Sequence, residues 1–402
     1  MRAQREDRAP IASSVRQPLE GLVVLDFSQF LAGPSCALRL ADLGADVIKI
    51  ERPSGGDACR QLFIADQSLD GTSALFHTIN RNKRSFVADL KNPRDLARVK
   101  ALIGQADVMI HNFRPGVMER LGLGFDVLET DNPRLIYAAI TGFGSDGPWR
   151  DKPGQDLLVQ ALSGITWLSG NGSQGPVPVG MSITDMTAGA HLCQGILAML
   201  VRRAATGRGG RVDVSLLESA VDLQFEQFSA FLNGQRIQPT RGEIAGANVY
   251  LGAPYGVYAT ADGHIALAMV AIPRLRQLLG CDELAAYDDA ATWFRDRDAI
   301  KAIIAAHLMK NDTAHWLDLL EPADVWAAQV FDWPNLLQQD GYAALQLTQE
   351  VRNSQGNEML TTRCPIRIDG SILASRRGAP PLGADTEEII HAFNLTAGGG
   401  DI

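Results

Sequence analysis

Asp185 is the residue whose type and surroundings best suit chemistry in this chain. It lies in residues 179–189 (VGMSITDMTAG), directly before the apolar run at residues 190–201 (AHLCQGILAMLV). This order predicts that Asp185 is the N-cap of a buried helix, where the positive end of the helix dipole favours the ionised carboxylate. The small residues around it leave room for a ligand to approach its oxygens. A helix cap with no further role is the alternative interpretation of the same pattern.

The composition is typical of a globular enzyme and excludes some classes of partner. The chain has 402 residues, enough for two domains, and is 46% hydrophobic and 21% charged. A net charge of −9 argues against general nucleic-acid binding. No apolar run approaches the roughly 18 residues of a membrane span, so no membrane association is expected.

Cysteine and histidine usage indicates a reducing compartment and no metal. The five cysteines include no CxxC pair, and Cys36 and Cys193 fall in apolar helical patterns that predict buried thiols. We therefore expect a cytoplasmic location. The seven histidines show neither HxxxH nor HExxH spacing, so no metal site is predicted. Residues 1–17 are predicted to be a disordered tail rather than a secretory signal.

Alternating strand and helix patterns predict an α/β fold. Residues 22–27 (LVVLDF) and 46–51 (DVIKIE) are typical of buried strands, and the segment between them, 35–43, is typical of a helix. A helix opened by Asn92-Pro93, and strands at 107–111 and 134–140, continue the alternation. Such an order favours a mostly parallel, Rossmann-like sheet. Only Gly33-Pro34 follows the first strand, without GxGxxG, so a dinucleotide oxidoreductase is a poor match.

The second half of the chain has a different pattern. Residues 190–234 are predicted to be helical in two pieces separated at 207–210. A hairpin with an Asp262-Gly263 turn is predicted at 255–269, followed by mainly helical residues up to 320. A final helix is expected at 386–393. The fold class predicted from both halves is α/β, with a Rossmann-like large domain and a smaller α+β domain.

Several motifs, in order along the chain, resemble those of the family III CoA-transferases. This group includes formyl-CoA and carnitine CoA-transferases and the related α-methylacyl-CoA racemases. The matching segments cover residues 18–391 and comprise LAGP at 31–34, LGADVIKIE at 43–51, Gly56-Asp57 with Arg60, NRNKRS at 80–85, NFRPG at 112–116, LGLG at 121–124, GFG at 142–144 with Gly147-Pro148, the Asp185 segment, TGRG at 206–209, and PLG at 381–383 with Thr386.

The resemblance implies a covalent role for Asp185. In this mechanism the carboxylate attacks an acyl-CoA thioester, giving an aspartyl mixed anhydride and then an enzyme–CoA thioester that exchanges with a second carboxylic acid. A carboxylate stripped of water and held against the thioester can act in this way. The thioester bond energy is retained throughout, so no ATP and no permanently bound cofactor are expected. Coenzyme A enters and leaves as part of the substrates.

The residue at position 155 distinguishes the transferases of this group from the racemases. The racemases carry a histidine where this chain has Gln155, because racemisation needs proton-transfer groups on both faces of the substrate carbon. An amide cannot take that proton, so Gln155 argues against an acyl-CoA racemase or epimerase. The transferases more often have tyrosine there, which leaves the acyl-group preference open. A non-catalytic CoA-binding protein is the third alternative, and the presence of Asp185 argues against it.

The resemblance also assigns CoA contacts by position. The expected contact residues, from the loop after the first strand to the far wall of the active site, are Gln29, Phe30, Ala32, Arg52, Lys91, Asn112, Phe113, Arg120, Lys152, Gln155 and Asp156. CoA is anionic, so an acidic protein needs a local basic patch. The candidates are Arg52, Arg60, Arg81, Lys83, Arg84, Lys91, Arg114 and Arg120, for which solvated surface is the alternative. Gly180 and the glycine-rich stretch at 242–256 are candidate oxyanion donors.

The resemblance further predicts the domain layout and the assembly. The large CoA-binding domain would span 18–225, the small domain 226–325, and the C-terminal return to the large domain 326–402. An interlocked homodimer is expected, with long connections near 205–235 and 320–345. The expected substrates are an acyl-CoA and a small carboxylic or dicarboxylic acid, because arginines near the site could hold a second carboxylate.

Overall fold

The structure is a computed structural model that describes residues 17–395. All but the last residue of the predicted N-terminal tail, 1–17, therefore lies outside the described residues. The chain forms two compact units. The first comprises the residues up to Thr141, Gly189–Val214, and the residues from Leu347 onward; the second comprises Gly142–Ala188 and Ser215–Gln346.

The strands of the described residues are numbered in chain order. They are β1 Val23–Asp26, β2 Asp46–Glu51, β3 Ser68–Leu69, β4 Thr72–Ser73, β5 Arg84–Val87, β6 Val108–His111, β7 Ile136–Thr141, β8 Gly210–Ser215, β9 Gly256–Ala259, β10 His264–Leu267, β11 Ala327–Gln329, β12 Thr348–Arg352, β13 Glu358–Thr362, β14 Arg367–Ile368 and β15 Ser371–Ile372.

The helices are numbered in the same way. They are α1 Ala32–Asp42, α2 Ala74–Asn80, α3 Pro93–Ile103, α4 Val117–Arg120, α5 Phe125–Asp131, α6 Asp156–Ser163, α7 Ile183–Thr206, α8 Leu216–Asp222, α9 Phe225–Asn233, α10 Ile272–Leu279, α11 Thr292–Arg295, α12 Arg297–Leu308, α13 Thr313–Leu320, α14 Trp333–Leu336, α15 Asp340–Leu345 and α16 Thr386–Ala392. Short 3₁₀ turns occur at Ala58–Gln61, Ile165–Trp167 and Asp282–Tyr287.

A six-stranded sheet organises the first unit. Its strand order is β5-β2-β1-β6-β7-β8, and β1 pairs in parallel with both β2 and β6. After β1, the strands β2 and β5 are added on one side of it, and β6, β7 and β8 are then added on the other side. The reversal falls between β1 and β6, and ligands of open parallel sheets bind at such switch points, beyond the carboxyl ends of the strands. The loops after β1 and β6 are therefore the first places to look for a site.

Apolar strands and amphipathic helices make the core of this unit. Leu25 and Ile48 of the central strands pack in one buried cluster with Leu102 of α3, Leu128 of α5 and Ile389 of α16. Parallel strands covered on both faces are almost continuously apolar, which explains why the sequence predicted them well. The predicted cap of α3 is also confirmed, because Asn92 accepts hydrogen bonds from the backbone N–H groups of Arg94 and Asp95.

The second unit has its own sheet and its own core. Strands β9 and β10 form the predicted hairpin, and β11 pairs on the other side of β10 in an antiparallel sheet. The core includes Trp316, whose indole N–H donates to the carbonyl of Leu308 at 2.8 Å. Helices α10 to α13 cover this core, in agreement with the predicted helical stretch.

Two local predictions were wrong. Helix α7 begins at Ile183, so Asp185 is its third residue and not its N-cap. Residues 210–215 form the edge strand β8, where a helix was predicted after the 207–210 break. The sequence RVDVS at 211–215 alternates polar and apolar residues, which is the pattern of a half-exposed strand.

The limits of the compact units differ from the predicted domain boundaries. Residues 142–188 group with the second unit, and the chain returns to the first unit inside helix α7. No change of composition or glycine-rich linker marks a crossing inside a continuous helix, so sequence patterns do not reveal it. The domains predicted at 18–225, 226–325 and 326–402 stay a prediction.

Candidate active site

Asp185 lies in the first turn of α7, and its backbone is fixed by another carboxylate. The Asp156 Oδ1 atom accepts hydrogen bonds from the Thr184 N–H at 2.8 Å, the Thr184 hydroxyl at 2.7 Å and the Asp185 N–H at 3.3 Å. The N–H groups of a first helical turn have no partner within the helix, so the buried Asp156 side chain serves as their cap.

Gln160 completes this support. Its side-chain amide donates to Asp156 Oδ2 at 2.7 Å and to the carbonyl of Met181 at 3.1 Å. Its Oε1 atom accepts from the N–H of Val179 at 2.9 Å. Gln160 is itself buried, one helical turn after Asp156 on α6. Asp156 and Gln160 together hold the segment that leads into α7.

In this arrangement, the hydrogen bonds involve the backbone of Asp185 and leave its carboxylate oxygens free to meet a ligand. Its side chain is partly buried, yet no group in the described part of the chain donates a hydrogen bond to its oxygens. Burial, followed by repulsion from Asp156, raises the pKa of Asp185 to about 7. The expected effect of the helix dipole, which favours the ionised form, is therefore outweighed. A weakly solvated carboxylate that titrates near neutral pH is suited to nucleophilic or proton-transfer chemistry.

Two glycines, Gly142 and Gly154, allow the backbone before Asp156 to pack closely against the loop after β7. A Cβ atom at Gly142 would lie 2.6 Å from the Cα of Gly154, and one at Gly154 would lie 2.5 Å from the Cα of Gly142. Any larger residue would push the two backbones apart. This close approach explains the first glycine of the GFG motif and the glycine that precedes Gln155.

Gln155 and Lys152 have local roles in the structure. Gln155 is the N-cap of α6, where its side-chain oxygen accepts from the Leu158 N–H at 3.4 Å. The ammonium of Lys152 lies 4.7 Å from the ring centre of Trp149. Both side chains are exposed. Their predicted contacts with CoA stay a prediction.

A cavity of about 510 Å³ lies in the first unit, beyond the carboxyl ends of β1, β2 and β5. Of the predicted CoA-contact residues it brings together Gln29, Arg52, Lys91 and Phe113. The cationic side chains of Arg52 and Lys91 and the aromatic ring of Phe113 suit a ligand with phosphates and a base. The remaining lining residues are Phe27, Ser28, Ile50, Glu51, Pro53, Ser54, Gly56, Asp57, Ala88, Asp89, Leu90 and Leu121.

Four other predicted contacts in this unit lie outside the cavity lining. Ala32 is buried at the start of α1, Phe30 is half exposed, and Arg120 is exposed at the end of α4. Asn112 is used by the protein itself, because its amide bonds both the N–H and the carbonyl of Gln29. Contacts of these residues with CoA stay a prediction.

Half of the proposed basic patch is structural. Four of the eight cationic residues are buried in ion pairs, and neither a CoA patch nor solvated surface describes them. The pairs are Arg60 with Glu51, Arg81 with Asp42, Lys83 with Asp26, and Arg84 with Asp46. Spacing along a sequence cannot distinguish a cation that faces solvent from one paired with a carboxylate far away in the chain.

Sequence reasoning assigned no role to three buried residues that support the candidate sites. Lys49 and Asp57 form an ion pair of 2.9 Å beside the cavity, and Gln160 supports the Asp185 segment. A lysine in the middle of the apolar strand DVIKIE was a usable signal, because unpaired lysines are almost never fully buried. Gln160 had no comparable signal.

One oxyanion candidate is already occupied. The N–H of Gly246 donates to Asn171 at 2.9 Å, whereas Gly180 is exposed and has open space where a side chain would be. Gly180 therefore fits the predicted role better than Gly246.

The cysteines are free and buried, as predicted for Cys36 and Cys193. Within residues 17–395, one group of side chains has metal-ligand types in reach of one another: Cys281, Glu283 and His307, with ligand atoms within 4.8 Å. The ammonium of Lys310 lies 3.3 Å from Nδ1 of His307, so a cationic group is already present there. Among the helices that the structure describes, none is long and apolar enough to cross a membrane.

The fold defines the protein as an α/β protein with a parallel sheet, as predicted. The model of CoA-transferase family III matches residues 19–386. The chain therefore belongs to CoA-transferase family III, and the prediction that it is a CoA-transferase is confirmed.

Relatives and solved structures agree with this assignment. The chain is 33% identical to a succinate–glutarate CoA-transferase of Agrobacterium fabrum, over 93% of this chain and 95% of that protein. It is 36% identical to the beta subunit of a succinyl-CoA–L-malate CoA-transferase of Chloroflexus aurantiacus, over 93% of each. A CAIB/BAIF family protein from Brucella suis has a similar structure, with a TM-score of 0.81 and 30% identity over 94% of this chain and 99% of that one.

Proposed function

We propose that the enzyme moves CoA from an acyl-CoA thioester to a small carboxylic acid through covalent intermediates on Asp185. The observation that carries the proposal is the state of that carboxylate, which is partly buried, free of hydrogen-bond donors among the described residues, and raised in pKa to about 7. A carboxylate with a purely structural role would instead have its oxygens occupied by donors, as those of Asp156 are.

The chemistry balances without an added co-reactant. An Asp185 oxygen attacks the thioester carbonyl, the carbon–sulfur bond breaks, and CoA leaves as thiolate while a mixed anhydride forms. The thiolate then attacks the aspartyl carbonyl, which releases the donor acid as a carboxylate and leaves CoA on Asp185 as a thioester. The acceptor carboxylate attacks this thioester, giving a second anhydride and thiolate. Attack of thiolate on the acceptor carbonyl gives the new acyl-CoA and restores Asp185.

The cavity of the first unit is the proposed binding place of the CoA nucleotide. Arg52 and Lys91 would pair with phosphates, and the ring of Phe113 offers a surface for the base. Coenzyme A is a substrate in this scheme and not a resident cofactor. Short dicarboxylic acids are the proposed donor and acceptor class, supported by the succinate, glutarate and malate in the names of the two relatives.

Racemisation is the second candidate, and Gln155 argues against it. An amide that caps its own helix offers no proton acceptor for the α-carbon of an acyl-CoA. The transferase must also keep water from its anhydride, so hydrolysis without an acceptor should be slow.

The two reactions are distinguished by one experiment in deuterated water. Succinyl-CoA is incubated with and without added glutarate, and the thioesters are analysed by mass spectrometry. We expect glutaryl-CoA only when glutarate is present, with no deuterium at the α-carbon of recovered succinyl-CoA. Because succinate has no stereocentre, a 2-methylacyl-CoA is assayed in parallel. Rapid deuteration of either substrate without an acceptor would support the racemase instead.

We further propose that the enzyme is a homodimer. Two segments of the second unit expose apolar side chains, and they overlap the two long connections expected from the sequence. Around α9, Phe225 and Ile237 are 70% and 67% exposed; near α14, Trp333 is 84% exposed. Exposed apolar side chains that form a continuous patch mark interaction surfaces, and we propose that these segments form such patches. Light scattering should give twice the chain mass, and a stable species near 43.4 kDa would contradict the proposal.

A further inference from the structure

The loop after β1, residues 28–30, is held by side chains rather than by neighbouring backbone. The N–H of Ser28 donates to Asp26, and its carbonyl accepts from the Lys49 ammonium at 2.7 Å. Asn112, after β6, accepts from the Gln29 N–H at 2.9 Å and donates to the Gln29 carbonyl at 2.7 Å. This loop lies at the switch point of the sheet and contributes Ser28 and Gln29 to the cavity.

Phe30 is the strained member of this loop. Its φ of 63° lies in the left-handed region, which costs a residue with a side chain about 1 kcal/mol or more. The N–H of Phe30 donates to Asp57 Oδ1 at 3.2 Å, and Asp57 Oδ2 pairs with Lys49 at 2.9 Å. Such a conformation persists only where the surroundings determine it, and it is concentrated at ligand sites.

The support beneath the loop is charged, buried and paired. Lys49, Asp26 and Lys83 are completely buried, and Lys83 donates to Asp26, the Pro34 carbonyl and Asn80 at 2.8 to 2.9 Å. All three donors of the Lys83 ammonium are thereby used. Paired charges of this kind favour one arrangement, because a displaced partner would leave a buried charge without compensation. The loop is therefore supported by a buried charge cluster whose members cannot separate without leaving an unpaired charge.

We infer that Asn112 and Asp57 are positioning residues that hold residues 28–30 in one conformation for the CoA thioester. This inference rests on the proposed function. Asn112 would act through the backbone of Gln29, and Asp57, which also lines the cavity, through the backbone of Phe30. The contact of Asn112 with CoA that the sequence predicts is a separate prediction, and the kinetic test below distinguishes the two roles.

Asn132 provides a matched control for Asn112. Its side chain also bridges backbone groups, donating to the carbonyls of Ile103 at 3.0 Å and Ala106 at 2.9 Å and accepting from the Arg134 N–H at 3.2 Å. It belongs to the same unit but does not line the cavity. Asn112→Ala and Asn132→Ala thus remove comparable bonds, and both should lower the melting temperature.

The test compares these variants with the wild type in loop exchange and in kinetics. Hydrogen exchange of the free enzyme should speed up at residues 28–30 in Asn112→Ala and stay unchanged there in Asn132→Ala. With succinyl-CoA as donor, Asn112→Ala should lower kcat about 10²-fold with a smaller change in KM, because a loop displaced by about 1 Å misplaces the reacting groups. Asn132→Ala should keep the wild-type kcat.

Three results would overturn the inference. Unchanged loop exchange in Asn112→Ala together with a raised KM and an unchanged kcat would show that Asn112 contacts CoA directly. Equal kinetic losses in both variants would show a general stability effect. Faster loop exchange with wild-type kinetics would show that the loop conformation does not matter for turnover. Failure of the proposed function is distinguishable, because the wild type would then transfer no CoA, while the exchange data would still show whether Asn112 holds residues 28–30.

Discussion

Asp185→Ala should abolish CoA transfer while leaving the fold intact. Removal of a covalent nucleophile typically lowers kcat by about 10⁴-fold or more, because the remaining binding groups cannot form the intermediate. Asp185 makes no structural ion pair with a cation among the residues described, so its removal breaks none. Transfer of CoA from succinyl-CoA to glutarate, measured by mass spectrometry, checks the result. Wild-type turnover in this variant would contradict the mechanism.

Asp185→Asn is the folding control for Asp185→Ala. We expect its melting temperature to differ from that of the wild type in a pH-dependent way. The folded state keeps the Asp185 proton up to a pKa of about 7, whereas the unfolded chain releases it near 3.8. Between these values the unfolded state binds fewer protons, so the ionisation of Asp185 lowers stability as pH rises through this window. Asp185→Asn should therefore melt at a higher temperature than the wild type at pH 8, and the difference should shrink towards pH 4.

Asp156→Ala should have the largest effect on stability of the changes near Asp185. It would leave the Thr184 N–H, the Thr184 hydroxyl and the Gln160 amide without their acceptor in a buried place. Each unsatisfied buried group costs about 1–3 kcal/mol, so the free energy of unfolding should fall by roughly 3 kcal/mol or more. Chemical denaturation measures this loss. A change below about 0.5 kcal/mol, the usual size at surface positions, would contradict the proposed cap.

Asp156→Asn separates the charge of Asp156 from its structural role. An asparagine keeps an oxygen that can accept from Thr184 but removes the negative charge that helps to raise the pKa of Asp185. In the wild type, kcat/KM should rise with pH up to about 7, because the attacking group must be ionised. In Asp156→Asn this limb should move to lower pH. Asp151→Asn, an exposed change in the preceding loop, should leave it in place; equal shifts in both variants would refute the coupling.

The sheet of the first unit was predictable, and its edge was not. Strand β2 has the predicted bounds of 46–51, because a strand buried on both faces is apolar almost throughout. Strand β8 was missed because an edge strand is half exposed, and because a glycine-rich break before it suggested a new helix. The start of α7 was placed late because polar residues at 182–187 hide its first turn, whose cap comes from Asp156, 28 residues before Thr184.

The candidate site was predictable in its residue types but not in their contacts. Asp185, Gln29, Arg52, Lys91 and Phe113 were identified by motif position, and the structure places the last four around one cavity. Contacts across long sequence separations were not accessible. Asn112 bonds a residue 83 positions away, and Arg81 pairs with Asp42, 39 positions away. Arg81, a candidate for the basic patch, is thus part of a buried ion pair that its position in the sequence does not reveal.

The most direct test of the mechanism is to isolate the covalent intermediate. The enzyme is incubated with succinyl-CoA without an acceptor acid, quenched in acid, digested, and analysed by peptide mass spectrometry. The mechanism predicts CoA in thioester linkage to the peptide that contains Asp185, lost when glutarate is added before the quench and absent in Asp185→Ala. An enzyme that transfers CoA at full rate with no adduct on this peptide, or with the adduct on another residue, would contradict the central claim.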